Sequence, residues 1–248
     1  MTPLYDWLLA EASSVAPVDE VTMGLSWTSA VVAGRMGFAF SPSQAPRTLP
    51  WSGTLRGQGS DRLRPWLLSW NEAEAAVGLA VFNASHRMAG CLDEARALQL
   101  DVPGQLAVFA HFRSRLQGRR VVVIGRYPGL DRLWHDLPYS CLERRPGEQD
   151  LPDTAAEYLL PQADWVFLTA SSLLNKTLPR LLELSAHAQV VLMGPSLPWL
   201  AGWQAYGVDY LAGVRVLDPV AARQVIAEGG GTRLFQGPVE YALLEFTA

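Results

Sequence analysis

The chain has 248 residues, 49% of them apolar and 18% charged, with a formal net charge of −4. That balance excludes a disordered chain and gives no global electrostatic reason to bind nucleic acid or an anionic membrane. No apolar run reaches the roughly 18 residues that span a bilayer, and the start, MTPLYDWLLAEASS, lacks the basic segment of a secretory signal, so a soluble cytoplasmic protein is expected.

Residues 3–13 read as a short helix. From Val21, VTMGLSWTSAVVAG carries the β-branched and aromatic residues of strands, and MGFAFSP returns after a turn at Gly34-Arg35, which predicts a hairpin. Residues 41–60 are rich in Ser, Pro and Gly and read as loop, with a brief strand near Leu49 to Gly53. Two helices are expected next, DRLRPWLLSW at 61–70 and EAEAAVGLAVFNASH at 72–86, the second apolar on nearly every face and therefore buried. A further helix over Gly104 to Leu116 leads to Gly118. Strands first and helices afterwards is the pattern of an α+β unit.

From Arg119 the texture changes. VVVIG (121–125), WVFLT (165–169) and VVLMG (190–194) are continuous apolar runs of strand length. Strands apolar on both faces belong to a parallel sheet covered by helices. Between them lie helical stretches at 153–160, with Asp153 as its expected N-cap, and at 177–187. Weaker strands at 139–144 and near 209–218, and a late helix AARQVIAEG ended by Gly229, complete an alternating pattern. The fold class is α/β: an α+β unit over 1–118 followed by a Rossmann-like parallel-sheet unit over 119–248.

In open parallel sheets ligands bind beyond the carboxyl ends of the strands, so the loops after the three strong runs are the candidate site. They contain Gly125, Tyr127 and Pro128; Thr169, Ser171, Asn175, Lys176 and Thr177; and Gly194, Pro195 and Ser196. The middle loop is the most polar and precedes a helix, whose free amides and positive end suit a carboxylate or phosphate. It also holds the sole lysine: of 20 basic residues 19 are Arg, as codon bias produces, and a Lys that remains is a candidate for a task that a wide guanidinium fork cannot do. Capping alone would explain Asn175 or Thr177 but not Lys176.

Glu143 lies 18 residues beyond Gly125, near the spacing of a ribose-binding acid, yet the glycines stand as G-x-x-x-G. Without G-x-G-x-x-G the backbone cannot approach a pyrophosphate closely, which argues against nicotinamide and flavin dinucleotides. G-x-x-x-x-G-K-[ST] and G-x-S-x-G are absent as well. Cys91 and Cys141 are the only cysteines, and His86, His111, His135 and His187 fall in separate segments, so no thiolate or imidazole metal cage is expected. Arg113, Arg115, Arg119 and Arg120 read as an interdomain or solvated face.

The residues also carry a resemblance. VVVIGRYPGL at 121–130, the Pro146 to Pro152 turn leading into DTAAEYLLPQADWVFLTASSLLNKTLPRLLEL, GPSLPW at 194–199, YGVDYLAGVRVLD at 206–218 and EGGGTRLF at 228–235 together resemble the heavy-metal chelation domain family, long a domain of unknown function. VGLAVFNAS at 77–85 is similar to its N-terminal segment, an apolar helix ending in an Asn. The chain departs from the pattern at Ala170, where Gly is common, and in ERRPGEQD at 143–150. The resemblance implies an enolase N-terminal-like domain followed by a Rossmann-like domain, with a site in the cleft between them to which Asn83 would contribute. It further implies a small-molecule enzyme, or enzyme-like protein, in the synthesis or handling of a metal-chelating compound or metal cofactor. The alternative is a non-catalytic binder of a metal chelate or regulator of metal supply. The expected partner is a small molecule, anionic or metal-chelating; no directly bound metal and no catalytic residue is assigned, the cofactor is unknown, and a homo-oligomer is compatible.

Overall fold

The computed structural model describes residues 2–11, 15–42, 48–86 and 91–246. After the helix α1 (Pro3–Ala10), three strands, β1 (Val18–Met23), β2 (Trp27–Val32) and β3 (Arg35–Phe40), form an antiparallel sheet in that order. The expected helix ran to residue 13, and its last two positions lie outside the described residues. The β2–β3 turn is Ala33-Gly34, one residue earlier than read, and both have positive φ (49° and 74°). That combination matches the twist of flanking strands in a two-residue hairpin.

Of the loop expected over 41–60, residues 43–47 lie outside the described residues. The brief strand expected at Leu49 to Gly53 is instead a run of turns, with Ser52 N–H donated to Leu49 C=O and Thr54 N–H to Trp51 C=O, both at 3.1 Å. The helix expected over 61–70 is the single turn α2 (Ser60–Leu63) continued as a 3₁₀ segment over Arg64–Leu68. Pro65 lacks an N–H and crowds the preceding turn, which keeps an α-helix from running through. The next helix, α3 (Glu72–Ser85), starts where Asn71 Oδ1 accepts the Ala73 N–H at 3.0 Å, and Ala73 and every residue from Ala75 to Ser85 are buried. It crosses β2 and β3 at close range because Gly37 has no side chain: a Cβ there would stand 2.3 Å from the Ala84 nitrogen.

The remaining elements are α4 (Cys91–Glu94), β4 (Arg96–Ala97), α5 (Ala107–Phe112), β5 (Val121–Ile124), α6 (Leu130–Leu133), β6 (Ser140–Glu143), β7 (Leu151–Pro152), α7 (Ala156–Leu159), β8 (Trp165–Thr169), α8 (Leu178–Leu184), β9 (Gln189–Met193), β10 (Tyr210–Val216), α9 (Pro219–Ala227) and β11 (Val239–Glu245). They build an eight-stranded sheet in the order β4-β11-β10-β9-β8-β5-β6-β7. From β10 to β7 the neighbours are parallel, while β11 runs antiparallel to both β10 and β4. The mixed α/β class and the parallel sheet are as the apolar runs implied.

Those runs alternate between two cores. Val122, Val166, Leu168, Val190 and Leu192 join α1, α3 and α8 on one face. Val121, Val123, Phe167, Val191 and Met193 meet Val108, Phe109 and Phe112 of α5 and Trp134 on the other. The expected N-cap at Asp153 is absent: it opens a 3₁₀ turn ahead of α7 without a capping bond. An aspartate does cap ahead of α9, where Asp218 accepts from Val220 and Ala221 N–H at 3.0 and 2.9 Å.

The tight α3–β3 crossing makes a specific prediction. Gly37→Ala should lower the unfolding free energy by about 1 to 3 kcal/mol, the usual cost of forcing a methyl into a packed core. Urea denaturation followed by circular dichroism reads it, and a midpoint equal to that of the parent would show that α3 and β3 can separate freely.

Candidate functional site

Chain order reverses between β5 and β8: β6 and β7 are added on one side of β5, then β8, β9 and β10 on the other. A crevice opens at such a reversal, beyond the carboxyl ends of the strands. Here it is a cavity of about 1000 Å³. Gly125, Tyr127 and Pro128, then Thr169, Ser171, Asn175, Lys176 and Thr177, then Gly194, Pro195 and Ser196 line it together. Asn83 stands apart from it and lines a smaller neighbouring cavity of about 260 Å³, which shares Pro195.

Local geometry explains how these residues converge. Gly125 leaves β5 with φ of 99°, a left-handed value that suits glycine, and a Cβ there would lie 3.2 Å from Thr169 Cγ2. Thr169 Oγ1 accepts the Ser171 N–H at 3.4 Å and sits 2.8 Å from Ser171 Oγ. Asn175 Oδ1 accepts from both Thr177 N–H (3.1 Å) and Thr177 Oγ1 (2.6 Å). Between them Lys176 adopts φ of 66°, rare for a residue with a side chain. Its ammonium donates to the Leu174 carbonyl at 2.8 Å and lies 5.9 Å from the centre of the Tyr5 ring. Burial lowers its pKa to about 8, against the opposing pull of Glu72.

The third loop is tied to the small sheet. Phe40 N–H donates to Ser196 Oγ at 2.8 Å, while Asn83 Nδ2 donates to Phe38 C=O at 2.9 Å and to Ser196 C=O at 3.1 Å. Asn83 therefore supports the wall from behind. The stitch brings Trp27 and Phe40 into the cavity lining, where they meet Phe235 and Tyr241 from the end of the chain. Trp27 packs edge-on against Phe40 and Phe235, and Phe235 stacks on Tyr241 at 5.3 Å. Tyr127 and Tyr241 are both held well above the ordinary phenol range by burial, and among the described residues the Tyr241 hydroxyl has no hydrogen-bond partner.

Charge gathers at the opposite rim. Arg126 Nε and Nη2 donate to the two Asp150 oxygens at 2.9 and 2.7 Å, Arg144 pairs with Glu72 at 2.9 Å, and Arg180 pairs with Glu157 at 2.7 Å. Glu143 accepts from the Arg126 backbone N–H at 2.6 Å and from the Arg144 N–H at 3.1 Å. Beside them Cys141 points its thiol at the Gly125 carbonyl, and burial, with Asp150 nearby, pushes that thiol up to about 12. At that value it is protonated near neutrality.

Sequence reasoning missed the aromatic wall: Trp27 and Phe40 come from the hairpin, and Tyr241 from β11, a strand it did not read. The alternation in VEYALLE was the available signal. Within the basic stretch, Arg113 pairs with Asp136, Arg115 donates to the Tyr210 hydroxyl at 3.2 Å, and Arg120 holds Asp164 at 2.9 Å.

Two family models, both described as "putative heavy-metal chelation", match residues 5–86 and 107–245. The chain belongs to this family. An uncharacterized protein of Methanocaldococcus jannaschii is 34% identical over 88 residues, which is 34% of this chain. The chain thus spans about a third of that relative, 33% of its length. A crystal structure of a family protein of unknown function from Desulfitobacterium hafniense aligns over 98% of both chains with a TM-score of 0.85 and 27% identity. One from Pyrococcus horikoshii, also of unknown function, aligns over 98% of both with a TM-score of 0.77 and 21% identity, a likeness of fold.

The Arg126–Asp150 pair generates a pH prediction. The guanidinium, helped by the Gly147 N–H and the Cys141 thiol, holds the Asp150 carboxyl below its ordinary 3.8. A depressed carboxyl stabilises the native state fully above its unfolded pKa, and that stabilisation is lost as pH falls through the native value. Asp150→Asn should be less stable than the parent at pH 6, and the difference should shrink as pH falls below about 3.8. Denaturation midpoints measured from pH 6 to pH 2 check it; a gap that stays constant with pH would dismiss the ion pair as the cause.

Proposed function

We propose that the cavity holds an anionic small molecule and that the chain is a small-molecule enzyme, or enzyme-like protein, in the synthesis or handling of a metal-chelating compound. The observation that carries this reading is the composition of the cavity wall at the strand-order reversal. One side offers stacked aromatic rings, the other a lone lysine with Ser, Thr and Asn side chains. Sites for organic ligands combine apolar walls with a few converging polar groups, in cavities of about 300 to 1000 Å³.

Direct capture of a heavy metal by this wall does not fit. Among the described residues no three His, Cys, Asp or Glu side chains gather as a metal cage. The carboxylates of Glu72, Asp150 and Glu157 are held by guanidinium groups, and Glu143 by backbone amides. A metal would enter as cargo, already held by its chelator. One observation favours the second reading, a non-catalytic carrier: the buried phenols and the Cys141 thiol stay protonated near neutrality, which leaves Lys176 as the cavity group nearest to exchanging a proton there.

The experiment is incubation of the protein with chelators of the pterin, anthranilate and siderophore types, read by native mass spectrometry and product analysis. Turnover supports the enzyme, stoichiometric binding without new mass supports the carrier, and failure to bind any of them contradicts the reading. Lys176 supplies the matching variants. Lys176→Gly relieves a left-handed backbone that costs a residue with a side chain about 1 to 2 kcal/mol, so stability should rise. Anion affinity should fall about tenfold or more, the loss of a charge-assisted hydrogen bond. Lys176→Arg should leave stability within about 0.5 kcal/mol and still weaken binding, because a planar fork replaces a point charge. In the parent, affinity should decline as pH rises through about 8, where the ammonium loses its proton. Unchanged affinity in both variants would remove Lys176 from the site.

A further inference from the structure

We infer that Glu143 is the acceptor for a ribose 2′,3′-diol, and that the cavity takes a nucleoside with an anionic tail rather than a dinucleotide. This rests on the reading of the cavity as a small-molecule site and names the class of molecule.

Topology supplies the first observation. β6 lies beside β5 on the side away from β8, and Glu143 is its last residue, so the carboxylate stands next to the loop that leaves β5. In doubly wound sheets an acid at this place accepts the ribose hydroxyls. The second observation is how the carboxylate is held. One oxygen takes the Arg126 N–H at 2.6 Å and the other the Arg144 N–H at 3.1 Å. Each oxygen keeps further acceptor capacity, since an ionised carboxylate offers about four lone-pair sites. Glu72, Asp150 and Glu157 on the same rim are ion-paired, whereas Glu143 takes part in none of the ion pairs formed among the described residues. It is a fixed acceptor pair without a guanidinium partner, which suits two neutral hydroxyl donors.

The other walls suit the rest of such a molecule. Tyr127 shares the cavity lining with Glu143 and Tyr241. Tyr241 belongs to the cavity lining and stacks against Phe235. That end offers aromatic rings, which a nucleobase requires. Lys176 and the Ser171 and Thr177 hydroxyls offer contacts for the tail. A dinucleotide is disfavoured by the loop itself. Gly125 is followed by Arg126-Tyr127-Pro128, and α6 is a single turn, so neither a glycine-rich backbone nor a long helix start is present for a pyrophosphate.

The test is isothermal titration of the full chain with adenosine, guanosine, cytidine and uridine, their 5′-monophosphates, S-adenosylhomocysteine and NAD, each binder being repeated as its 2′,3′-dideoxy form. The proposal expects at least one ribonucleoside-type probe to bind at least tenfold more tightly than its dideoxy counterpart, and NAD to bind no better than its adenosine half. Glu143→Gln should abolish that discrimination while binding of the dideoxy form changes little. Should Glu143→Gln fail to fold, the ribose-to-dideoxy ratio on the parent protein decides alone. Equal binding of ribose and dideoxy forms, or discrimination that survives in Glu143→Gln, would overturn the assignment. Binding of a chelator-type anion with no nucleoside binding would also overturn it and leave the small-molecule site standing; no binding of either class would sink both.

Discussion

Ser196 ties the small sheet to the cavity wall through both its hydroxyl and its carbonyl. Ser196 Oγ accepts the Phe40 N–H at 2.8 Å, and the carbonyl of the same residue accepts from Asn83, whose amide also holds the Phe38 carbonyl. Ser196 and Asn83 are withdrawn from water, at 2% and 7% exposure. A buried donor left without a partner costs about 1 to 3 kcal/mol, so the arrangement is enforced by what breaking it would strand. Through it the hairpin end, with Trp27 and Phe40, is fixed over the carboxyl ends of β5, β8 and β9. The reversal of strand order opens a crevice, and this stitch gives it an aromatic side.

Most of the acids around that crevice are already engaged. Each guanidinium on the rim that meets an acid neutralises it: Arg126 with Asp150, Arg144 with Glu72, Arg180 with Glu157. The remaining fixed features are an acceptor pair at Glu143, a half-buried ammonium at Lys176, a set of hydroxyls and a wall of rings. They stand on strand ends and on short loops that hydrogen-bond to themselves, and in the proposed reading they serve different parts of one molecule. Family membership, with metal chelation in its description, and a wall unsuited to bare metal are reconciled if the metal belongs to the ligand or to its later use.

Much of this was legible in the sequence because parallel strands leave an unusual mark. VVVI, WVFL and VVLM are apolar at successive positions since Val121 and Val122, or Phe167 and Leu168, point into opposite cores. Once those runs are strands, topology assigns the loops after them to one site, and eleven of the twelve residues named from sequence do line one cavity. Asn83 differs because an amide that ends an apolar helix looks the same whether it faces a ligand or a backbone carbonyl. The aromatic wall was hidden for another reason: Trp27 and Tyr241 are brought together only by folding, and neither hairpin nor β11 marks its partner locally. For Lys176, composition singled out the residue, but its left-handed backbone has no signature in a chain where Gly usually fills that conformation.

The claim that a hydroxyl stitch closes the two sheets over the cavity is tested most directly by amide hydrogen exchange at Phe40 in Ser196→Ala. The account predicts that exchange there, and across residues 194–199, speeds up at least tenfold, while the buried amides of α3 and β8 keep their protection. Tenfold corresponds to about 1.4 kcal/mol, within the range of one lost hydrogen bond. An unchanged rate at Phe40 would contradict the account, because the strand end would then be held in place by something other than Ser196.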